Sequence, residues 1–324
     1  MKKIEAALIT TYRCMNRCKM CFIWKNPTSE KEEFKPSLLE KLPELSFCNI
    51  TGGEPFMRED IDEIIDILNK KSNRIVISTN GYMTDRILFT AKRNKNIGIR
   101  ISLEGLAEKN DYLRGLKNSF DRGLRTLLEI KKLGLKDIGI AVTVSDENAD
   151  DLINLCQLSK KHKVEFATAV VHNSYYFHKY DNEIKNKNQV KTQFEKIIKR
   201  QLKTWNIKTW YRAYFNKGLI NYISGGARLL PCTAGTDMFF LDPWGEVRPC
   251  NGMEQSIWID SFGNLHNSSF DEIWNSQKAK EIRNSVKNCP KNCWMIGTAS
   301  PAIKKYPIKP TLWVIKNKLI SLFG

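Results

Sequence analysis

The chain has 324 residues, 42% of them hydrophobic and 27% charged. That is enough to bury a large core and too apolar for a disordered chain. No window approaches the ~18 consecutive apolar residues of a membrane span, and the N-terminus lacks the long apolar core of a signal peptide, so a cytoplasmic setting is expected. The net charge of +17 suits nucleic acid, anionic membrane or phosphorylated substrates and by itself selects none of them.

Along the first 225 residues, strand-like and helix-like segments alternate. Strands are predicted at 5–11, 45–51, 74–79, 98–103, 139–144 and 164–171. Helices are predicted at 36–42, 60–71, 84–95, 119–133 and 148–162, with apolar residues three and four apart, as in Ile61, Ile64, Ile65 and Leu68. Apolar strands alternating with helices predict a parallel α/β sheet, and six such units predict a partial (β/α)6 barrel of TIM-like kind. Residues 173–225 turn basic and aromatic. Helices near 187–203 and 210–223 are expected to cover the sheet, with Phe194, Ile197, Ile198 and Leu202 inward, in preference to lining a nucleic-acid groove. "MFFLDPWGEVRPC" predicts a hairpin turning at Pro-Trp-Gly. The division expected is 1–225 for the core domain, 226–298 for a small cysteine-rich domain and 299–324 for a basic amphipathic tail. That tail either lies on a membrane surface or, the preferred reading, docks on the protein's own body.

Nine cysteines in a reducing compartment point to metal or catalysis before disulfides. Cys14, Cys18 and Cys21 follow the first strand within eight residues. Thiolates favour zinc or iron–sulfur clusters, and structural zinc wants four protein ligands. No fourth Cys or His lies nearby, so three thiols suit a 4Fe-4S cubane with one iron open to an exogenous molecule. Cys232, Cys250, Cys289 and Cys293 form a second set, enough for a fully ligated cluster or for zinc. Their long, uneven spacing favours the cluster. Cys48 and Cys156 are read as inert thiols, and His172, Tyr175, Tyr176 and Arg228 as capping or surface residues.

Cys-x3-Cys-x2-Cys after the first strand, with "ITGGEP" ending the second, resembles the radical S-adenosylmethionine (SAM) superfamily. The resemblance covers roughly residues 5–298. It implies that Gly52 and Gly53 let the backbone approach the methionine amino group of SAM, with Glu54 capping the turn and Pro55 stiffening it. It implies that Asn80, Ser102 and Arg114, at or beyond later strand ends, contact the ribose or carboxylate. The residue before the third cysteine is usually aromatic in the family and here is Met20, which can still pack on the adenine. The second cysteine set resembles the SPASM extension in its shortened, twitch form, holding one auxiliary 4Fe-4S cluster. The implied chemistry is reductive cleavage of SAM to a 5′-deoxyadenosyl radical that takes hydrogen from an unactivated carbon. A one-electron donor such as flavodoxin or ferredoxin is the expected partner.

For substrate, the first strand starts by residue 5 and the auxiliary set has four cysteines, whereas peptide-modifying relatives often carry a preceding docking domain or a fuller set. The expectation is therefore a small polar substrate of sugar or polyol type, oxidised or epimerised. The alternative is a peptide or protein substrate, as in peptide maturases and sulfatase-maturing enzymes. A more remote alternative is a non-catalytic zinc and nucleic-acid-binding protein, which leaves Gly52–Pro55 without a purpose.

Overall fold

The computed structural model describes residues 3–252 and 260–323. Residues 1–2, the stretch 253–259 of the expected cysteine-rich domain and Gly324 of the tail lie outside them. Six strands run parallel: β1 (Ile4–Ile9), β2 (Leu45–Thr51), β3 (Ile75–Thr79), β4 (Gly98–Ser102), β5 (Ile138–Val144) and β6 (Glu165–Val170). Each pairs with its neighbour in sequence. Runs such as Ile75–Ile77 and Ile138–Val144 are largely buried, as a sheet covered on both faces requires. The intervening helices are α1 (Ile61–Lys71), α2 (Thr84–Arg93), α3 (Ala107–Arg114), α4 (Ser119–Lys132) and α5 (Leu152–Lys161). The predicted inward stripe of α1 is fully buried.

After α6 (Lys187–Leu202) and α7 (Ile207–Ile223), the chain returns to the sheet. Strand β7 (Met238–Leu241) pairs parallel with β1, from Glu5 opposite Met238 to Leu8 opposite Leu241. It then turns through Asp242–Gly245 into β8 (Glu246–Arg248), which pairs with β9 (Gly263–Asn264). Gly245 takes the left-handed conformation at φ +83° that this turn needs. The result is one nine-stranded sheet, β6-β5-β4-β3-β2-β1-β7-β8-β9. Among the described residues no pairing joins β6 to β9, so the sheet is open. The cysteine-rich region thus extends the core's own sheet. Helices α8 (Phe270–Asn275), α9 (Gln277–Lys287), α10 (Ile296–Lys305) and α11 (Ile308–Phe323) complete the chain.

Three local expectations change. Residues Pro36–Lys41 form a 3-10 turn, because Pro43 forces Leu42 into an extended conformation and stops an α-helix. The expected 148–162 helix opens with a 3-10 turn at Ala149–Asp151 before α5. Helix α3 is an addition: "AEKNDYLR" has few apolar residues to signal it, and it ends at Gly115, at φ +59°. Helix α6 buries Phe194, Ile197, Ile198 and Leu202 as expected. The tail helix α11 docks against α6 and α7.

Candidate functional site

The site grows from the carboxyl ends of the parallel strands, where α/β sheets place ligands. Leaving β1, the chain crosses a polar cluster built on buried Glu33. Thr11, Thr28 and Arg13 all donate to that carboxylate, Thr28 at 2.7 Å and Arg13 Nη2 at 2.8 Å. The loop that follows, carrying the three cysteines, is held by backbone bonds. Arg17 and Lys19 N–H donate to Arg114 O and Leu113 O at 3.0 and 2.9 Å, and Phe22 N–H to Phe177 O at 2.8 Å. Gly115 permits this contact: a Cβ there would lie 2.9 Å from the Arg17 carbonyl carbon.

The glycine segment ending β2 packs on the same loop. Gly53 N–H donates to Thr11 O at 2.7 Å and Glu54 N–H to Arg13 O at 2.8 Å. A Cβ on Gly52, at φ +153°, would meet Thr11 O at 2.5 Å, and one on Gly53 would overlap the Arg13 carbonyl. The close approach that these glycines allow is therefore to the start of the cysteine loop. Pro55 opens a 3-10 turn, and Glu54 caps it by accepting from Phe56 N–H. The same carboxylate accepts from Thr79 Oγ1 at 2.6 Å and Asn80 N–H at 2.7 Å, tying β2 to β3. Burial pushes the Glu54 carboxyl up, against these hydrogen bonds and the Arg114 charge. Asn80 donates to Asn16 Oδ1 at 2.6 Å and accepts from Tyr82 N–H at 2.8 Å, so its amide secures the cysteine loop.

Arg114 is buried, and its Nη1 donates to Glu104 at 3.1 Å. Burial opposes its charge, but Cys18, Glu104, Cys14 and Glu54 together hold the guanidinium firmly protonated. Its Nε is buried with no partner among the described residues. Burial pushes the Cys14 and Cys21 thiols up to about 12 and raises Cys18 as well. Ser102 is half-buried at the end of β4, and half-buried Met20 packs against the core. The structure thus brings the three thiols, the glycine segment and Arg114 to one place, beside an orphaned cationic donor. Three soft donors and an unpaired guanidinium N–H fit an open iron–sulfur cluster and a ligand bearing a carboxylate.

The four other cysteines line one cavity of about 360 Å³, together with Arg228 and Lys291. They come from four places: before β7, after β8, and on both sides of the "CPKNC" turn. Cys250 is pushed up to about 12 by burial and by the other three thiols. An all-thiol set spread around a cavity of that size fits a cubane better than zinc. Arg228, expected at the surface, instead donates to Cys293 O, reaches Cys293 Sγ at 3.7 Å and lies over the Trp294 ring. Trp294 in turn donates to Phe215 O at 2.9 Å.

Residues 172–182 bridge the two sites. Tyr176 is buried and donates its hydroxyl to Gly52 O at 2.8 Å, while Ser174 donates to Asn251 O, next to Cys250. Tyr12, just before the cysteine loop, meets the Trp244 ring of the β7–β8 turn edge-on at 5.2 Å. Tyr176, Glu104, Asn16 and Arg228 were not singled out for these roles from sequence. The only signals were their nearness to a motif or a strand end. Cys48 is fully buried and Cys156 half-buried.

Comparison with known proteins agrees with this geometry. Residues 8–159 match the radical SAM superfamily and residues 232–295 the SPASM iron–sulfur cluster-binding domain. The Fe-coproporphyrin III synthase of Methanosarcina barkeri is 32% identical over 163 residues, 48% of this chain and 40% of that protein. The antilisterial bacteriocin subtilosin biosynthesis protein AlbA of Bacillus subtilis is 27% identical over 289 residues, 84% of this chain and 60% of that one. The mycofactocin maturase MftC of Mycolicibacterium smegmatis is 30% identical over 159 residues, 47% of this chain and 40% of that one. The chain thus spans 40 to 60% of the length of these relatives. The crystal structure of Streptococcus suis SuiB bound to precursor peptide SuiA shares the fold, with a TM-score of 0.63 at 18% identity, over 93% of this chain and 74% of that one. Among the described residues no helix is long and apolar enough to cross a membrane. The chain carries a radical SAM superfamily domain at residues 8–159 and a C-terminal SPASM iron–sulfur cluster-binding domain at residues 232–295.

Proposed function

We propose that this enzyme modifies a peptide by radical chemistry. The observation that carries the reading is the reach of the AlbA match. At 84% of this chain it must extend well beyond the 8–159 core. AlbA is a bacteriocin biosynthesis protein, and SuiB is seen bound to a precursor peptide. The comparisons therefore favour the peptide alternative over the sugar or polyol expected from sequence. A porphyrin-class substrate is the second reading, favoured by the Methanosarcina relative.

In this proposal Cys14, Cys18 and Cys21 hold the open cluster, and Cys232, Cys250, Cys289 and Cys293 hold the auxiliary one. When bound, the open cluster and SAM supply a carbon radical able to take hydrogen from an unactivated C–H bond. The protein's part is positional. Gly52–Pro55 and Ser102 frame the SAM pocket, with Met20 beside the adenine. Asn80 fixes the cysteine loop, and Arg114 offers its orphaned Nε–H to the SAM carboxylate. The Tyr176 and Tyr12 contacts keep the two cysteine sites in register. A cytoplasmic setting keeps nine thiols reduced and supplies a flavodoxin- or ferredoxin-type donor.

The test is label transfer. The reconstituted full chain is given SAM, a one-electron reductant and deuterated candidate peptides, including any short precursor found encoded beside its gene. Deuterium in 5′-deoxyadenosine, with a matching mass change in the peptide, is the expected result. Transfer from a deuterated sugar or porphyrin, with none from the peptide, overturns it.

A further inference from the structure

Helix α11 has a second apolar face besides the one that docks it, where Val314 is buried and Trp313 meets the Tyr214 ring. Its inward face carries Pro310, Val314 and Lys318. Lys318 is 8% exposed, and its ammonium donates to Leu202 O at 2.9 Å and Thr204 O at 2.8 Å. It also lies over the rings of Trp205 and Trp210. The outward face carries Ile308, Leu312, Ile315 and Leu319, between 52% and 75% exposed. Successive members of that stripe are four, three and four residues apart, so they form one row along the helix. Lys309 and Lys316 lie along one side of the row.

A second exposed apolar pair lies near the far part of the helix. Lys318 fixes the far part of α11 beside the α6–α7 turn, where Trp205 and Ile207 are 79% and 74% exposed. Isolated exposed apolar residues need no explanation, but a continuous row does. The segments that carry it are basic. Residues 187–223 carry nine Lys and Arg against the single acid Glu195, and residues 299–324 carry five Lys and no acid. Lys208 and Arg212 pair with Glu165, Lys304 with Glu5 and Lys305 with Asp237, and the remaining cations leave an excess of positive charge on these helices.

We propose that this face binds the surface of an anionic lipid bilayer. Four aliphatic side chains in a row, a Trp at one end and flanking lysines are the pattern of a helix lying in the headgroup region. The helix buries its apolar row between acyl chains while the lysines reach lipid phosphates. The same charge argues against a second copy of this chain, because a two-fold pairing of the face would set like charges opposite one another. The inference is independent of which substrate the enzyme takes.

The experiment is co-sedimentation of the full chain, with its clusters in place, with vesicles of phosphatidylcholine alone or mixed with phosphatidylglycerol. The comparison variant carries Leu312→Gln, Ile315→Gln and Leu319→Gln. All three side chains are exposed, so fold and iron content should persist, as circular dichroism and iron analysis would verify. The expected result is binding to the mixed vesicles that weakens with salt and falls at least about tenfold in the variant. No binding at low salt overturns the proposal. Equal binding by the variant overturns it too, since charge alone would then suffice. Self-association without vesicles, lost in the variant, reassigns the face to a second copy.

Discussion

The two cysteine sites solve the same problem in opposite ways. The first is continuous in sequence, Cys14 to Cys21, and is held mainly by backbone hydrogen bonds to the carbonyls of Thr11, Arg13, Leu113, Arg114 and Phe177, with the Asn80 amide on Asn16 as a side-chain addition. The second gathers thiols from across about 60 residues and is held by side chains: Arg228 on Cys293, Trp294 on Phe215, Lys291 on Gly252. A backbone-held loop leaves its fourth position free because nothing else in the chain needs to reach it. A site assembled from four directions closes on itself. The first arrangement suits binding an exogenous molecule, the second suits a cluster with every iron ligated.

The largest effect expected comes from removing either set. Cys14, Cys18 and Cys21 changed together to Ala should lower iron from about eight to about four per chain and abolish SAM cleavage. Cys232 and Cys250 changed to Ala should lower iron comparably while SAM cleavage persists. Iron and sulfide analysis with a 5′-deoxyadenosine assay separates the two. Loss of SAM cleavage in both variants would mean that the sites are not independent.

Overpacking one glycine at each site gives the next effects. Gly53→Ala drives a Cβ into the Arg13 carbonyl, which is backbone and cannot yield cheaply. Gly218→Ala on α7 drives a Cβ to 2.7 Å from Trp294 Cδ1 and closer to Cε2 and Nε1, next to Cys293. Overpacking of this kind costs about 1–3 kcal/mol. Thermal unfolding should show both losses. Gly53→Ala should release the open cluster first on incubation with a chelator, Gly218→Ala the auxiliary one.

Smaller shifts distinguish how each site is tuned. Glu54→Gln removes the charge that accepts three hydrogen bonds at the end of β2 and should cost about 1–3 kcal/mol in denaturant unfolding. Arg228→Gln removes a positive hydrogen-bond donor 3.7 Å from Cys293 Sγ. Positive charge beside a cluster sulfur favours the reduced form. The auxiliary potential should therefore move negative by some tens of millivolts, with the open cluster unmoved. An EPR-monitored redox titration reads both clusters at once, and a shift in the open cluster instead would refute the assignment.

Much of this architecture is legible in the chain. The apolar strands announce the sheet, because residues buried on both faces leave an unbroken hydrophobic run. The thiol spacing and the Gly-Gly-Glu-Pro segment announce the site, because a tight loop needs its residues adjacent. What escaped was what depends on distant partners. Nothing near Met238 says that it will pair with Glu5 of β1, and nothing near Arg228 says that it will reach Cys293. Asn80 ends a strand, as cofactor-binding residues do, and nothing near it says that its amide will also donate to Asn16, 64 residues earlier. Helix α3 escaped because its own sequence is polar: its stability comes from Arg114 and Asn110 buried against neighbours. Such contacts are tertiary and leave no local period to read.

The opposite end of the sheet provides the control for all of these comparisons, and the smallest effect. At the N-terminal side of β4, Asp137 accepts from Arg74 Nε at 2.8 Å and Arg100 Nη2 at 2.6 Å, far along the strands from the cysteine loop. Burial alone would raise the Asp137 carboxyl, but Arg100 and Arg74 outweigh it and hold it below its ordinary value. A carboxyl depressed in the folded state stabilises above its unfolded pKa, and that stabilisation is lost as pH falls through the folded value. Asp137→Asn should therefore cost about 1 kcal/mol at neutral pH. The gap to the wild type should close on acidification, while iron content stays the same. Denaturant unfolding across acidic to neutral pH checks this. A gap independent of pH would show that Asp137 acts by packing and not by charge. A loss of iron would show that the two ends of the sheet are coupled, and the cysteine sites would then depend on the whole sheet for their geometry.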